Sequence, residues 1–227
     1  MTRDMTDAVV AVIGASGELG RRVAERLAAS GARLVLVGRD DDRLASTGLD
    51  GPRVVGDITD AGLGDALVKS ATEAFGRLDG VVNAAGVVAF GPLVDATDSV
   101  IEEVFLVDVL GPLWLTRKVI PALRESKGLI VSMSGVIAAT PMPGMVAYSA
   151  AKAALGAANV ALAKELRRDR IQVIDIQPPH TETGLATRPI AGTAPKFPPG
   201  AHPDAVADRI VSAIRNGETL VKSDEFG

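Results

Sequence analysis

VIGASGELGRRVAERL, residues 12–27, sets Gly14, Gly17 and Gly20 between an apolar run and an amphipathic one. The residues before it, AVVAVI over 8–13, read as a buried strand, and those after it as a helix over 18–29. Glycine at these places lets the chain turn tightly and brings backbone N–H groups close to a pyrophosphate at the helix N-terminus. Ser16, Glu18 and Leu19 complete the turn. A glycine triplet alone is also compatible with a tight packing turn; its place after a first strand and before a first helix is what gives it meaning.

Outward from this turn, short Val/Ile/Leu runs alternate with longer amphipathic stretches. Strands are predicted near 8–13, 33–37, 53–56, 79–83, 128–133, 171–176 and 219–222. Helices are predicted near 18–29, 41–46, 62–76, 98–124, 145–168 and 203–216. Continuous apolar strands alternating with helices argue for an α/β fold with a doubly wound parallel sheet. Gly111, Pro112 and Pro121 are expected to bend or divide the fourth helical stretch. The 227 residues are 47% hydrophobic but only 3% aromatic, so the core must be mostly aliphatic. That length fits a single domain.

The same numbers exclude several classes. A net charge of −4 without a basic run argues against a nucleic-acid partner. Zero cysteines exclude disulfides and thiolate chemistry, and two histidines make no metal site. The N-terminal stretch lacks the pattern of a secretory signal, and no uninterrupted apolar run reaches the ~20 residues of a membrane span. A soluble, cytoplasmic protein without a membrane partner is the expectation. Residues 178–203, PPHTETGLATRPIAGTAPKFPPGAHP, are too long for a plain connection and too apolar to be merely disordered. They read as a lid over a binding site, with a mobile surface loop as the plain alternative.

Further stretches refine the nucleotide reading. LVLVGRDDD, residues 34–42, ends the second strand on Gly38 and Arg39 rather than on an acid. An acid there would hold the ribose 2′-hydroxyl of NAD, whereas the Arg39 guanidinium suits a 2′-phosphate. NADP(H) is therefore preferred, with NAD(H) as the alternative. Asp40, Asp41 and Asp42 complicate this, since they can pair with Arg39, reach a ribose or serve as helix-opening acids. Asp57, followed by Ile58 in VVGDIT (54–59), could accept from an adenine amino group or cap a helix. VVNAAG (81–86) ends the fourth strand on Asn83, with Ala84 and Gly86 leaving room beside a cofactor.

VSMSGVIAATPMPGMVAYSAAK, residues 131–152, places Tyr148 and Lys152 four apart, on one face of a helix. A lysine ammonium beside a phenol favours the phenolate, which makes an acid–base pair. Taken in order, the glycine-rich turn, VGR, D-I, NAAG and Tyr-xxx-Lys resemble the short-chain dehydrogenase/reductase family over about residues 8–222. That resemblance implies a three-layer Rossmann-like fold, a nicotinamide nucleotide and a homodimer or homotetramer. It implies that Tyr148 is the catalytic acid–base and that Lys152 tunes it and binds the nicotinamide ribose. In IQPPHTET (176–183), Pro178 and Thr183 fall on cofactor-contacting places, and Pro179 stands where glycine is usual.

Three departures stand beside the resemblance. GASGELG (14–20) has the glycine spacing of the family's extended and atypical branches. VDVLGP (107–112) puts Asp108 where the family has the asparagine of a proton relay. The family's serine falls on Gly135, one place after Ser134, and adjacent strand residues face opposite ways. Ser134 can serve only if the strand end twists; otherwise a water supports the substrate oxygen.

His180 and His202 read as solvent-exposed or as lid contacts, and Trp114 and Phe105 as core or interface. Nine alanines and a glycine between 147 and 163 suit close helix approach, either across a two-fold axis or within the chain. The expected function is an NADP(H)-dependent oxidoreductase acting on a small carbonyl or secondary alcohol. The alternatives are a nucleotide-binding protein with weak or no catalysis, and a nucleotide-sugar epimerase or dehydratase.

Overall fold

Runs of valine, isoleucine and leucine that are buried on both faces have no solvated side to offer, so they pair in a parallel sheet with helices above and below. In the computed structural model, which describes residues 3–226, seven strands form one sheet, the inner five built from such runs. They are β1 (Val9–Ile13), β2 (Arg33–Gly38), β3 (Arg53–Val55), β4 (Gly80–Asn83), β5 (Leu129–Met133), β6 (Gln172–Ile176) and β7 (Leu220–Val221). Their order is β3-β2-β1-β4-β5-β6-β7, every pair parallel. The chain winds one way from β1 to β3 and the other way from β4 to β7. That reversal opens a crevice beyond the carboxyl ends of β1 and β4, where open α/β sheets bind ligands.

The helices are α1 (Glu18–Ala29), α2 (Asp41–Ala45), α3 (Leu63–Phe75), α4 (Asp98–Phe105), α5 (Gly111–Ser126), α6 (Val146–Glu165) and α7 (Pro203–Asn216). One apolar layer, including Val23, Leu27, Ile210 and Ile214, packs α1 and α7 on one sheet face. The other, including Leu67, Leu115, Val119 and Leu166, packs α3, α5 and the end of α6 on the opposite face. The three-layer fold is the one expected from the sequence.

The predicted helix over 98–124 is divided. A π-helical segment, Leu106–Leu110, joins α4 to α5, and Pro112 opens α5. Pro121 sits inside α5 without ending it. A π-turn adds a residue to the helical repeat and redirects the side chains it carries; here it carries Asp108, which is 1% exposed.

By length and composition α6 could cross a membrane, with 20 residues and a mean hydropathy of 1.2. Ser149, Lys152 and Asn159 interrupt it, so it is not an uninterrupted apolar run of the kind the sequence lacks. In the fold the helix instead packs against the sheet and buries Ser149, Lys152 and Asn159.

Candidate active site

The glycine turn is built as a cradle. Gly14 has φ +77°, and a Cβ on Gly20 would lie 2.2 Å from the Gly14 carbonyl oxygen. The turn is pinned by Gly14 and Ala15 N–H groups donating to Val37 O (2.9 and 3.1 Å) and by Gly17 N–H donating to Gly14 O (2.9 Å). Gly17 caps α1 without any side-chain cap bond. The first-turn N–H groups therefore face outward with the positive end of the helix dipole, which suits a pyrophosphate. The residues present fit a dinucleotide.

At the adenosine end, two of the three acids after Arg39 take different partners. Asp40 caps α2, accepting from Arg43 N–H at 3.0 Å, and Asp41 accepts from Arg53 Nε at 2.6 Å. Asp57 Oδ1 is taken by the N–H and hydroxyl of Thr59 (2.9 and 2.8 Å), and its Oδ2 lies 3.7 Å from Arg39. Arg39 is itself 74% exposed in its side chain, a weakly held cation at the end of β2. The structure adds a residue that sequence reasoning missed: Arg43 Nη2 donates to Ser16 O at 3.3 Å, placing a second guanidinium beside the cradle. Ile58 is buried under the same edge, next to Gly111.

Asn83 ends β4 and accepts from Ala85 N–H at 3.1 Å, and Ala84 N–H donates to Ile13 O at 2.9 Å, which holds the β1–β4 crevice open on its small residues. A Cβ on Gly86 would meet Asp108 Oδ1 at 2.8 Å and Lys152 Nζ at 3.4 Å. Glycine is therefore needed where the strand end passes the charged pair.

Tyr148 and Lys152 sit one turn apart on α6, with Lys152 Nζ 5.6 Å from the tyrosine ring centre. Lys152 is buried; its Nζ donates to Met133 O at 3.1 Å and stands 3.3 Å from Asp108 Oδ1. Burial alone would lower the Lys152 pKa, but Asp108 and then Tyr148 hold it above its ordinary value. Burial raises Asp108, and Lys152 only partly offsets this. For Tyr148, burial raises the phenol above its ordinary value; the lysine pulls it back and Asp108 pushes it up again. The lysine does pull the phenol down, as its spacing implies, but desolvation outweighs the ammonium and the net direction is upward.

A model of short chain dehydrogenases matches residues 8–191. The chain belongs to the short-chain dehydrogenase/reductase family. It is 30% identical over 229 residues to dehydrogenase/reductase SDR family member 7B of Bos taurus, spanning 92% of this chain and 70% of that one. It is 34% identical over 194 residues to an uncharacterised oxidoreductase of Methylorubrum extorquens, spanning 82% and 78%. A Burkholderia phymatum short-chain dehydrogenase/reductase solved with NAD superposes with a TM-score of 0.86 at 26% identity, covering 96% of this chain and 90% of that one. A Burkholderia cenocepacia member solved with NADP gives 0.86 at 25% identity, covering 97% and 90%.

Against the short-chain dehydrogenase pattern, the serine place is the sharpest difference. Gly135 has φ +75° and ψ 163°, a conformation that favours glycine. Ser134 is fully buried, and its Oγ has no hydrogen-bond partner among the described residues. That oxygen lies 3.7 Å from where a Gly156 Cβ would be, one turn beyond Lys152. Ser134 is thus turned against α6, as strand alternation gives when the strand end does not twist.

The segment 178–203 is ordered over this site. The Ala89–Ala191 pairing and the Val136 N–H donating to Pro178 O at 3.0 Å tie it to the core, and Thr181–Ala201 closes it on itself. Phe197 packs between Phe90 (6.1 Å between ring centres) and His180 (4.8 Å, stacked). Phe90 and Phe197 belong to an apolar cluster that includes Ile137, Met145, Leu185 and Tyr148. Thr183 N–H donates to Thr181 O at 2.7 Å, inside the loop that follows β6. His180 thus packs within this segment through Phe197, while His202 caps α7 through Nδ1.

Proposed function

We propose that the protein is an NADP(H)-dependent oxidoreductase that interconverts a carbonyl compound and its secondary alcohol. The observation that carries the reading is the Tyr148–Lys152 pair, held at the carboxyl end of the sheet beside the glycine cradle. When bound, the nicotinamide supplies or accepts the hydride. In reduction the Tyr148 hydroxyl donates its proton to the substrate oxygen; in oxidation the Tyr148 phenolate takes the hydroxyl proton. The Lys152 ammonium stabilises the phenolate and offers its N–H groups to the ribose. Asp108 keeps Lys152 charged, and the apolar lid side chains exclude water from Tyr148. No side-chain hydroxyl stands at Gly135, so a water supports the substrate oxygen.

The preference for NADP(H) rests on two guanidinium groups, Arg39 and Arg43, at the adenosine end, with no acid of β2 in the ribose place. The small-molecule site, the cytoplasmic setting and assembly into a homodimer or homotetramer complete the reading. Tyr148→Phe removes one hydroxyl and keeps the ring. Turnover of a panel of ketones and aldehydes should vanish while NADPH binding, followed by fluorescence, stays within about twofold. Retained turnover in that variant would defeat the mechanism. A wild-type protein that binds NADPH yet reduces nothing would favour a nucleotide-binding role, which the glycine at 135 also suits.

A further inference from the structure

Tyr148 packs into two apolar clusters at once. In one, Phe90, Ile137 and Met145 are buried, with Leu185 and Phe197 of the segment 178–203 against them. In the other, Val104, Val109 and Ala151 are buried, with Ile190 and Ala191 of the same segment against them. The segment is fitted closely to residues 88–90. Ile190 N–H donates to Val88 O and Phe90 N–H to Ala191 O, both at 2.9 Å, and a Cβ on Gly192 would lie 1.8 Å from Phe90 O. A molecule whose oxygen meets the Tyr148 hydroxyl therefore has apolar side chains as its neighbours.

Charge is turned away from these neighbours. Glu182, Arg188 and Lys196 of the segment are exposed. Glu182 accepts from Gly200 N–H at 2.8 Å and Arg188 Nε donates to Gly184 O at 3.1 Å, so the segment's own backbone holds both. His180 turns its Nε2 toward Glu182, at 3.6 Å. The charges that act on the phenol are those of Lys152 and Asp108, and these two face each other at 3.3 Å. A carboxylate or phosphate brought here would lose its water without gaining a cation of its own, which is costly. The apolar surface also continues outward along the chain. Phe90 leads into Leu93 and Val94, 51% and 90% exposed, and Met145 follows Met142, 39% exposed. Gly91 N–H donates to Gly144 O at 2.8 Å, which joins the two stretches. Asp95 is the one charged residue in 91–97 and 140–145, and an acid there opposes an anion.

We propose that the substrate is an uncharged carbonyl compound with an extended apolar body, its oxygen at Tyr148, its chain beside Phe90, Met145 and Phe197, and its far end over Leu93, Val94 and Met142. The proposal rests on the oxidoreductase reading of Tyr148 and adds the class of substrate. Phe197 and Val94 are then specificity-determining residues, one beside the tyrosine and one at the rim. Each methylene that enters is removed from water against side chains that ask for no hydrogen bond, so affinity grows with the length buried.

Methyl ethyl, methyl butyl and methyl hexyl ketone, set against α-oxo acids of the same lengths, test it. With NADPH, kcat/KM should rise about two- to fourfold for each added methylene. Each oxo acid should fall about 100-fold or more below the ketone of its length. Phe197→Ala and Val94→Glu should each cut the ratio of the longest ketone to the shortest about fivefold or more. Val94 is exposed, so its variant keeps the fold even where Phe197→Ala loosens the segment. Calorimetric titration of the same compounds into protein saturated with NADP+, where no ketone can be reduced, reads the site without turnover and should give the same order. A series flat in both measurements, oxo acids that match or exceed the ketones, or an unmoved ratio in both variants would overturn the proposal. If no carbonyl is reduced while the calorimetric order holds, the oxidoreductase reading falls and the apolar site stands.

Discussion

A serine at position 135 would have to adopt φ near +75° with ψ near 163°, a backbone region costing about 1–3 kcal/mol for any residue but glycine. Space is not the obstacle, since an added Cβ would meet only Ile137 Cγ2 at 3.9 Å. Gly135→Ser should therefore lower the urea midpoint by that order and leave turnover low. If stability is unchanged, the backbone has relaxed and the rate should rise instead. Asp108 gives the second prediction at this scale. It pushes the Tyr148 phenol up, so Asp108→Asn should bring the phenolate titration to lower pH. Oxidation needs the phenolate and reduction needs the phenol. The limb on which oxidation rises, and the limb on which reduction falls, should both move to lower pH; an unmoved profile would show that the 3.3 Å contact with Lys152 does not tune the tyrosine. The spacing of Tyr148 and Lys152 was legible because it is a local helical property. The direction of the tyrosine shift was not, because burial belongs to the folded site and no spacing records it.

At the scale of elements, the cradle and the seven strands could be read from the chain, since a glycine demanded by a tight turn and an apolar run buried on both faces are written locally. Two features escaped that reading. Gly111 and Pro112 mark where the helical stretch divides, but nothing in LVDVL records that 106–110 adds a residue as a π-segment. Arg43 reaches the cradle only because Asp40 caps α2 and turns that helix back over Ser16, a contact between elements rather than along one. The cofactor prediction follows from it. Arg39→Ala and Arg43→Ala should each weaken NADPH binding by about tenfold while changing NADH binding little, in keeping with the loss of a charge-assisted phosphate contact. Fluorescence titration of both nucleotides checks this. Equal losses for NADPH and NADH would place the guanidinium groups on the shared part of the nucleotide and remove the basis for the preference.

Across the whole molecule, the sheet, the crevice and the segment 178–203 all lie toward the Tyr148–Lys152 side, which leaves the outer face of α6 to be explained. That helix buries Lys152 and Asn159 inward, yet Val146 and Val160 remain 46% and 54% exposed among its alanines. Small side chains allow two backbones to approach closely, and burying such a stripe returns about 25 cal/mol for each Å² of apolar surface removed from water. A second copy of the chain offers the same alanine stripe, and a two-fold axis lets each stripe cover the other. The expected outcome is a dimer or tetramer by light scattering at micromolar concentration. Val160→Glu, which sets like charges against each other across such an axis, should shift the mass to that of a monomer while leaving NADPH binding intact. A wild-type monomer at that concentration would sink the assembly, and would leave the exposed stripe without a partner of its own kind.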